Sequence, residues 1–92
     1  MAASLALKDS SVARGNPDYA VCANFKAGRT LVMYVGGQYA GVQPTGPFGT
    51  TAYGAVAADV FMPNSTISAG AKTATAVDNT DGTKATASVT LT

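Results

Sequence analysis

Residues 77–92 read VDNTDGTKATASVTLT, and the fold class turns on how this stretch is understood. Its first part, Asp78-Asn79-Thr80-Asp81-Gly82, has the acidic, glycine-ended form of a calcium loop. An EF-hand loop takes ligands at positions 1, 3 and 5, glycine at 6 and a bidentate glutamate at 12. With Gly82 at position 6, Asn79 and Asp81 fall at 3 and 5, but position 1 is Val77 and position 12 is Ser88. The chain contains no glutamate. Asn, Asp and Gly tolerate positive φ and hydrogen-bond their own backbone, so NTDG reads more simply as a hairpin turn. The second part agrees. Ala85, Ala87, Val89 and Leu91 alternate with Thr86, Ser88, Thr90 and Thr92, the period of two expected of an antiparallel strand with one buried face. Upstream, KTATAV (residues 72–77) supplies the partner strand, with Ala76 and Val77 competing for the inward face. A register that sets Asp78 opposite Lys84 adds roughly a few tenths of a kcal/mol.

Working back from this hairpin, short strand-like runs recur with turn signals between them. SLALK (residues 4–8) alternates and forms a candidate first strand, followed by the polar loop DSSVARGNP with Gly15 and Pro17. YAVCANF (residues 19–25) puts Tyr19, Val21, Ala23 and Phe25 on one side. TLVMYV (residues 30–35) is dense in β-formers, and Gly36-Gly37 is a two-residue hairpin signal that returns the chain through QYAGVQ. PTGPFGTT (residues 44–51) crowds two prolines and two glycines around Phe48 and reads as a long exposed loop. AYGAVAADVFMP (residues 52–63) resumes as a strand, because Gly54 and the valines disfavour a helix. Six to seven short antiparallel strands without a convincing helix predict an all-β fold, a small β-sandwich or barrel.

The chain has 92 residues, six basic and five acidic, for a net charge of +1. That length makes one domain, 1–92, with residues 1–17 as an N-terminal arm. The basic residues are scattered, so the concentrated positive face that nucleic-acid binding uses is missing. No segment approaches the ~20 apolar residues of a membrane span. The first 17 residues lack the charged start and long apolar core of a secretory signal, so the expectation is a chain used without secretion. The single cysteine, Cys22, lies in a strand-like run and reads as a buried, inert thiol. With no histidine, no glutamate and no second cysteine, no nucleophile–base–orienter set can be assembled, and an enzyme is not expected. Asp9, Asp18, Asp78 and Asp81 read as turn residues; Asp59 lies in a strand and is expected to face water or meet a cation. No cofactor or metal is expected.

PNSTISAGAKTATAVDNTDGTKATASVTLT (residues 63–92) resembles the last strands of immunoglobulin-like domains of bacterial and phage surface proteins. GRTLVMYVGGQYAGVQPT (residues 28–45) is similar to their middle hairpin. The antibody-type disulfide and core tryptophan are absent, as they generally are in the prokaryotic relatives. The resemblance implies an immunoglobulin-like β-sandwich serving as a capsid decoration (cement) protein on the virion surface, made in the host cytoplasm. It would bridge neighbouring capsomers, with the major capsid protein as partner and a homo-oligomer as the working form. The alternatives are a tail or fibre subunit, or a module binding carbohydrate or a cell surface through Tyr34, Tyr39, Phe48 and Tyr53. The candidate partner-binding residues are Leu5 and Leu7 in the stretch Met1 to Leu7, and Pro47 and Phe48 in the proline-bracketed loop. Phe48 is either a lid folded back on the domain or an anchor presented to a partner. Leu5 and Leu7 either meet a neighbouring chain or belong to the core as part of a first strand.

Overall fold

The computed structural model describes residues 2–43, 48–49, 55–64 and 67–92. Among them there is no helix; ten short strands form two sheets around one core. One sheet has the order β1-β3-β8-β6, from β1 (Ser4–Leu7), β3 (Pro17–Ala23), β8 (Val56–Phe61) and β6 (Gly41–Gln43). The other has the order β2-β10-β9-β4-β5, from β2 (Ser11–Val12), β10 (Lys84–Leu91), β9 (Gly70–Asp78), β4 (Thr30–Val35) and β5 (Gln38–Tyr39). A further short strand, β7 (Phe48–Gly49), pairs with Thr30 and Leu31 of β4. The protein is therefore a small all-β sandwich.

The last hairpin has the form its sequence predicts. Along β10, Ala85, Val89 and Leu91 are buried, Ala87 is half-buried, and Lys84, Thr86, Ser88 and Thr90 are exposed. On β9 the inward face goes to Ala74 and Ala76, so Ala76 wins over Val77. The register differs from the one expected at the turn. Lys84 pairs with Val77, and Asp78 closes the loop through its own backbone, donating to the Thr83 carbonyl at 2.8 Å. The loop itself is longer than two residues, and this shift takes Lys84 to the face opposite Asp78.

At the other hairpin, Gly36 and Gly37 both have positive φ (60° and 82°), the requirement of a two-residue turn between twisted strands. A Cβ on Gly36 would also stand 2.8 Å from Ile67 Cδ1, so glycine is needed there for space as well as for backbone. After this turn the chain leaves its sheet. β5 pairs with β4, but β6 pairs with β8 in the other sheet, and the buried Ala40 between them donates to Met33 O at 2.9 Å. The run QYAGVQ is thus two strands in two layers.

The same switch occurs in the first 17 residues. β1 lies antiparallel to β3, whereas β2 lies parallel to β10. The core between the layers is built from small and medium side chains: Leu5, Ala20, Cys22 and Val60 from one sheet, and Leu31, Met33, Val35, Ala74, Ala76, Val89 and Leu91 from the other. Small residues let the two backbones approach closely, at the cost of little apolar area per residue.

In YAVCANF, Tyr19 and Val21 share one side as expected, and it faces solvent, while Asp18, Ala20 and Cys22 point inward. Phe25, expected on the side of Tyr19, is the correction. It is buried, because Asn24 takes a left-handed conformation (φ 63°) that breaks the alternation and turns the following residue back to the core.

Candidate interaction surface

The four residues proposed from sequence as partner contacts fall in different places. Leu5 is 8 % exposed and belongs to the core; Leu7 is half-buried and packs against it. Both therefore follow the first-strand alternative, since β1 gains a full set of partners on β3, from Ser4↔Ala23 to Leu7↔Ala20. Leu5 does not stand free for a neighbouring chain. Phe48 lies on the short strand β7, opposite Leu31, where the sequence suggested irregular loop; its side chain is outside what the structure describes. Pro47 lies outside the described residues. Gly49, after Phe48, pairs with Thr30, so β7 runs along the edge of β4 that β5 leaves uncovered.

Two outer faces remain. That of the larger sheet is rich in hydroxyls: Thr73 on β9 and Thr86, Ser88 and Thr90 on β10 are all exposed. Tyr34 and Tyr39 form a directly opposed pair at one margin of this face, ring centroids 6.4 Å apart and nearly perpendicular. Register places Tyr39, Tyr34, Thr75 and Thr86 in one row across four strands. The outer face of the smaller sheet carries Tyr19 (45 % exposed), Val21 (42 %), Ala6 and Ala57.

The acidic turn is an ion-paired cap. The Asp78 side chain is fully buried; Oδ1 accepts from the Thr80 amide at 2.8 Å and Oδ2 lies 3.2 Å from Arg29 Nη1. Asp81 Oδ2 lies 3.3 Å from Lys26 Nζ and 3.8 Å from Arg29 Nη1. The Thr83 backbone amide, donating to Asp81 Oδ1 at 2.9 Å, is the main reason the Asp81 carboxyl is held well below the usual carboxylate range; the Thr83 hydroxyl and Lys26 add to it. Gly82 (φ 79°) supplies the left-handed residue that closes the loop. Among the described residues, no three of His, Cys, Asp or Glu gather where they could hold a metal ion. Asn79 N donates to Thr30 O at 3.0 Å, which ties the turn to β4.

Cys22 is fully buried, and burial pushes its thiol up to about 12, which leaves almost no reactive thiolate at neutral pH. Asp59 is exposed on β8, as expected of a strand carboxylate without a buried partner. Asp18 is not a turn residue: it sits near the start of β3 with its side chain inward. Its Oδ1 accepts from the amides of Tyr19 (2.8 Å) and Asp9 (3.1 Å), while Oδ2 has no hydrogen-bond partner among the described residues. Sequence offered one signal for it, the inward parity it shares with Ala20 and Cys22, and the GNPD run obscured that signal.

No family model matches the chain, and no curated protein or solved structure matches it.

Proposed function

We propose that the protein is a structural component of a phage particle, decorating the capsid surface and bridging neighbouring capsomers of the major capsid protein. The strand pairing is the observation that carries this reading. Immunoglobulin sandwiches pair strands A, B, E and D in one sheet and G, F and C in the other, with C′ added beside C in the variable type. Taking β1 and β2 as a first strand split between the sheets, β3 as B, β4 as C, β5 as C′, β6 as D, β8 as E, β9 as F and β10 as G reproduces both orders. This supports the resemblance of residues 63–92 and 28–45 to immunoglobulin-like domains of phage and bacterial surface proteins, and decoration is what that resemblance implies. In this reading the domain acts through area rather than chemistry: repeated, modest contacts on a symmetric shell. A tail or fibre subunit uses the same physics at another address.

The Tyr34–Tyr39 pair favours a second reading, a module for carbohydrate or a cell surface. Its perpendicular rings offer one edge and one face rather than a flat platform, so it is the weaker of the two.

The test is attachment to undecorated phage capsids assembled from a major capsid protein alone. The wild-type domain should bind them, and Phe48→Ala should abolish binding while leaving the melting temperature of the free domain nearly unchanged. Normal attachment by the variant removes the β7 loop from the interface. A wild-type domain that ignores capsids but is retained on immobilised glycans overturns the decoration reading.

A further inference from the structure

On the outer face of the β1-β3-β8-β6 sheet, one row of side chains sets a positive and a negative charge on either side of an aromatic ring. Lys8 N donates to Tyr19 O at 2.9 Å, so Lys8 continues the β1 ladder and stands beside Tyr19. Tyr19 in turn pairs with Asp59 of β8. All three side chains are exposed, and the alternation along β1 (Ser4 and Ala6 out, Leu5 in) puts Lys8 on the same outer side as Tyr19 and Asp59. The next row is apolar: Ala6, Val21 and Ala57 are mutually opposed and all exposed. Lys8 and Asp59 lie two strand spacings apart, roughly 10 Å. The Tyr19 ring stands between them, and neither has an ion pair among the described residues.

We propose that this face is the interface of a two-fold dimer of the chain, with the axis running along β3. Rotation about that axis exchanges the two sides of β3. Lys8 of one copy then faces Asp59 of the other, twice over, while Tyr19 meets Tyr19, Val21 meets Val21 and Ala6 meets Ala57. The alternative in-plane axis, across the strands, places Lys8 on Lys8 and Asp59 on Asp59. Charge complementarity therefore selects a single orientation, and the strands of the two copies lie within about 30° of each other, as aligned sheet packing requires. The outer face of the other sheet has no such pattern; its hydroxyl rows on β9 and β10 are better satisfied by water.

The face is small. With the axis along β3, only β1, β3 and β8 of the two copies overlap; three strands at ~4.8 Å spacing and about six residues at ~3.3 Å give roughly 300 Å² a side, well under half of a standard interface. The dimer is accordingly weak, with a dissociation constant on the order of 10 μM or weaker, a strength that becomes effective when subunits are already concentrated on a surface. This deepens the oligomer part of the proposed reading, but it is measured on the free domain, so its failure and the failure of capsid attachment are separate results.

The experiment is sedimentation equilibrium of the purified domain up to about 0.5 mM. Wild type should show a monomer–dimer equilibrium. Lys8→Asp and Asp59→Lys should each weaken it at least ~10-fold, because like charges then face each other twice. The double variant Lys8→Asp/Asp59→Lys should recover the wild-type constant, which also shows that the exposed substitutions leave the fold intact. A wild type that stays monomeric at the highest concentration overturns the proposal. So do single reversals that dimerise normally, or a double variant that stays as weak as the singles.

Discussion

Asp18 and Asp78 are both carboxylates inside the sandwich, and the fold treats them in opposite ways. Asp78, at the end of β9, has a cation and an amide: Arg29 at 3.2 Å and the Thr80 N–H at 2.8 Å. Asp18, near the start of β3, has two amides on one oxygen and, among the described residues, nothing on the other. Removing a charge from water is costly, and pairing recovers the cost only when the remaining lone pairs are also satisfied. The difference shows which acid is structural. Asp78 organises a turn by joining β9, the loop and Arg29, whereas half of Asp18 is a tolerated expense whose other half fixes the bend at Asp9.

Asp78→Ala is the most damaging single change this comparison predicts. It leaves Arg29 without its buried partner and frees the Thr80 amide. Because Arg29 is partly exposed and keeps Asp81 at 3.8 Å, the loss should be about 2–4 kcal/mol, near the low end for breaking a buried pair. Thermal melting should fall by at least ~10 °C. A loss under ~1 kcal/mol would mean that the turn holds itself and Asp78 is incidental.

At Asp18 two substitutions should part company. Alanine removes the acceptor for the Tyr19 and Asp9 amides and should cost about 1 kcal/mol. Asparagine keeps that acceptor and discards the buried charge, so its urea midpoint should lie within about 0.5 kcal/mol of wild type. An asparagine variant that is as unstable as the alanine one would show that Oδ2 has a partner after all.

The smallest effect concerns acid. The folded state holds the Asp81 carboxyl below its ordinary range, so its contribution is present above that range and is lost as pH falls through the lower folded value. Stability of the wild type should therefore decline below about pH 4. Asp81→Asn should be slightly less stable at pH 7 and decline less steeply in acid, as followed by melting between pH 7 and pH 2. A steeper acid decline in the variant would contradict the assigned cause.

Much of this architecture can be read without coordinates, wherever local chemistry dominates. The alternation from Ala85 to Leu91 and the Gly36-Gly37 turn depend only on neighbouring residues, and both appear as expected. What eludes the sequence depends on tertiary choices. Gln38 to Gln43 looks like one strand because nothing local marks Ala40 as the point of crossing between layers. Phe25 reads as lying on the side of Tyr19 and Val21, because nothing local marks Asn24 as the left-handed residue that turns it back to the core. Pro17 reads as loop, although proline is compatible with the first residue of a strand. Of the contact residues, Leu5 fits either an arm or a strand in sequence, and its pairing with Cys22 places it in the strand. The Lys8–Tyr19–Asp59 row joins three separate segments, so no single stretch of sequence displays it.

The parallel pairing of β2 with β10 has a mechanical meaning. Thr90 N bonds Ser10 O, Thr92 N bonds Val12 O and Arg14 N bonds Thr92 O, at 2.8, 3.0 and 3.1 Å. Tension that enters near Ser10 and leaves at Thr92 slides these two strands past each other, so the bonds are loaded together. In the antiparallel β9–β10 hairpin, tension applied across the open end parts the bonds one after another. Stretching single molecules from residues 10 and 92 should accordingly need a higher rupture force than stretching from residues 70 and 91. Equal forces would deny the clasp any role. A domain built this way resists being drawn out along the line from Ser10 to Thr92 more than across the open end of its last hairpin.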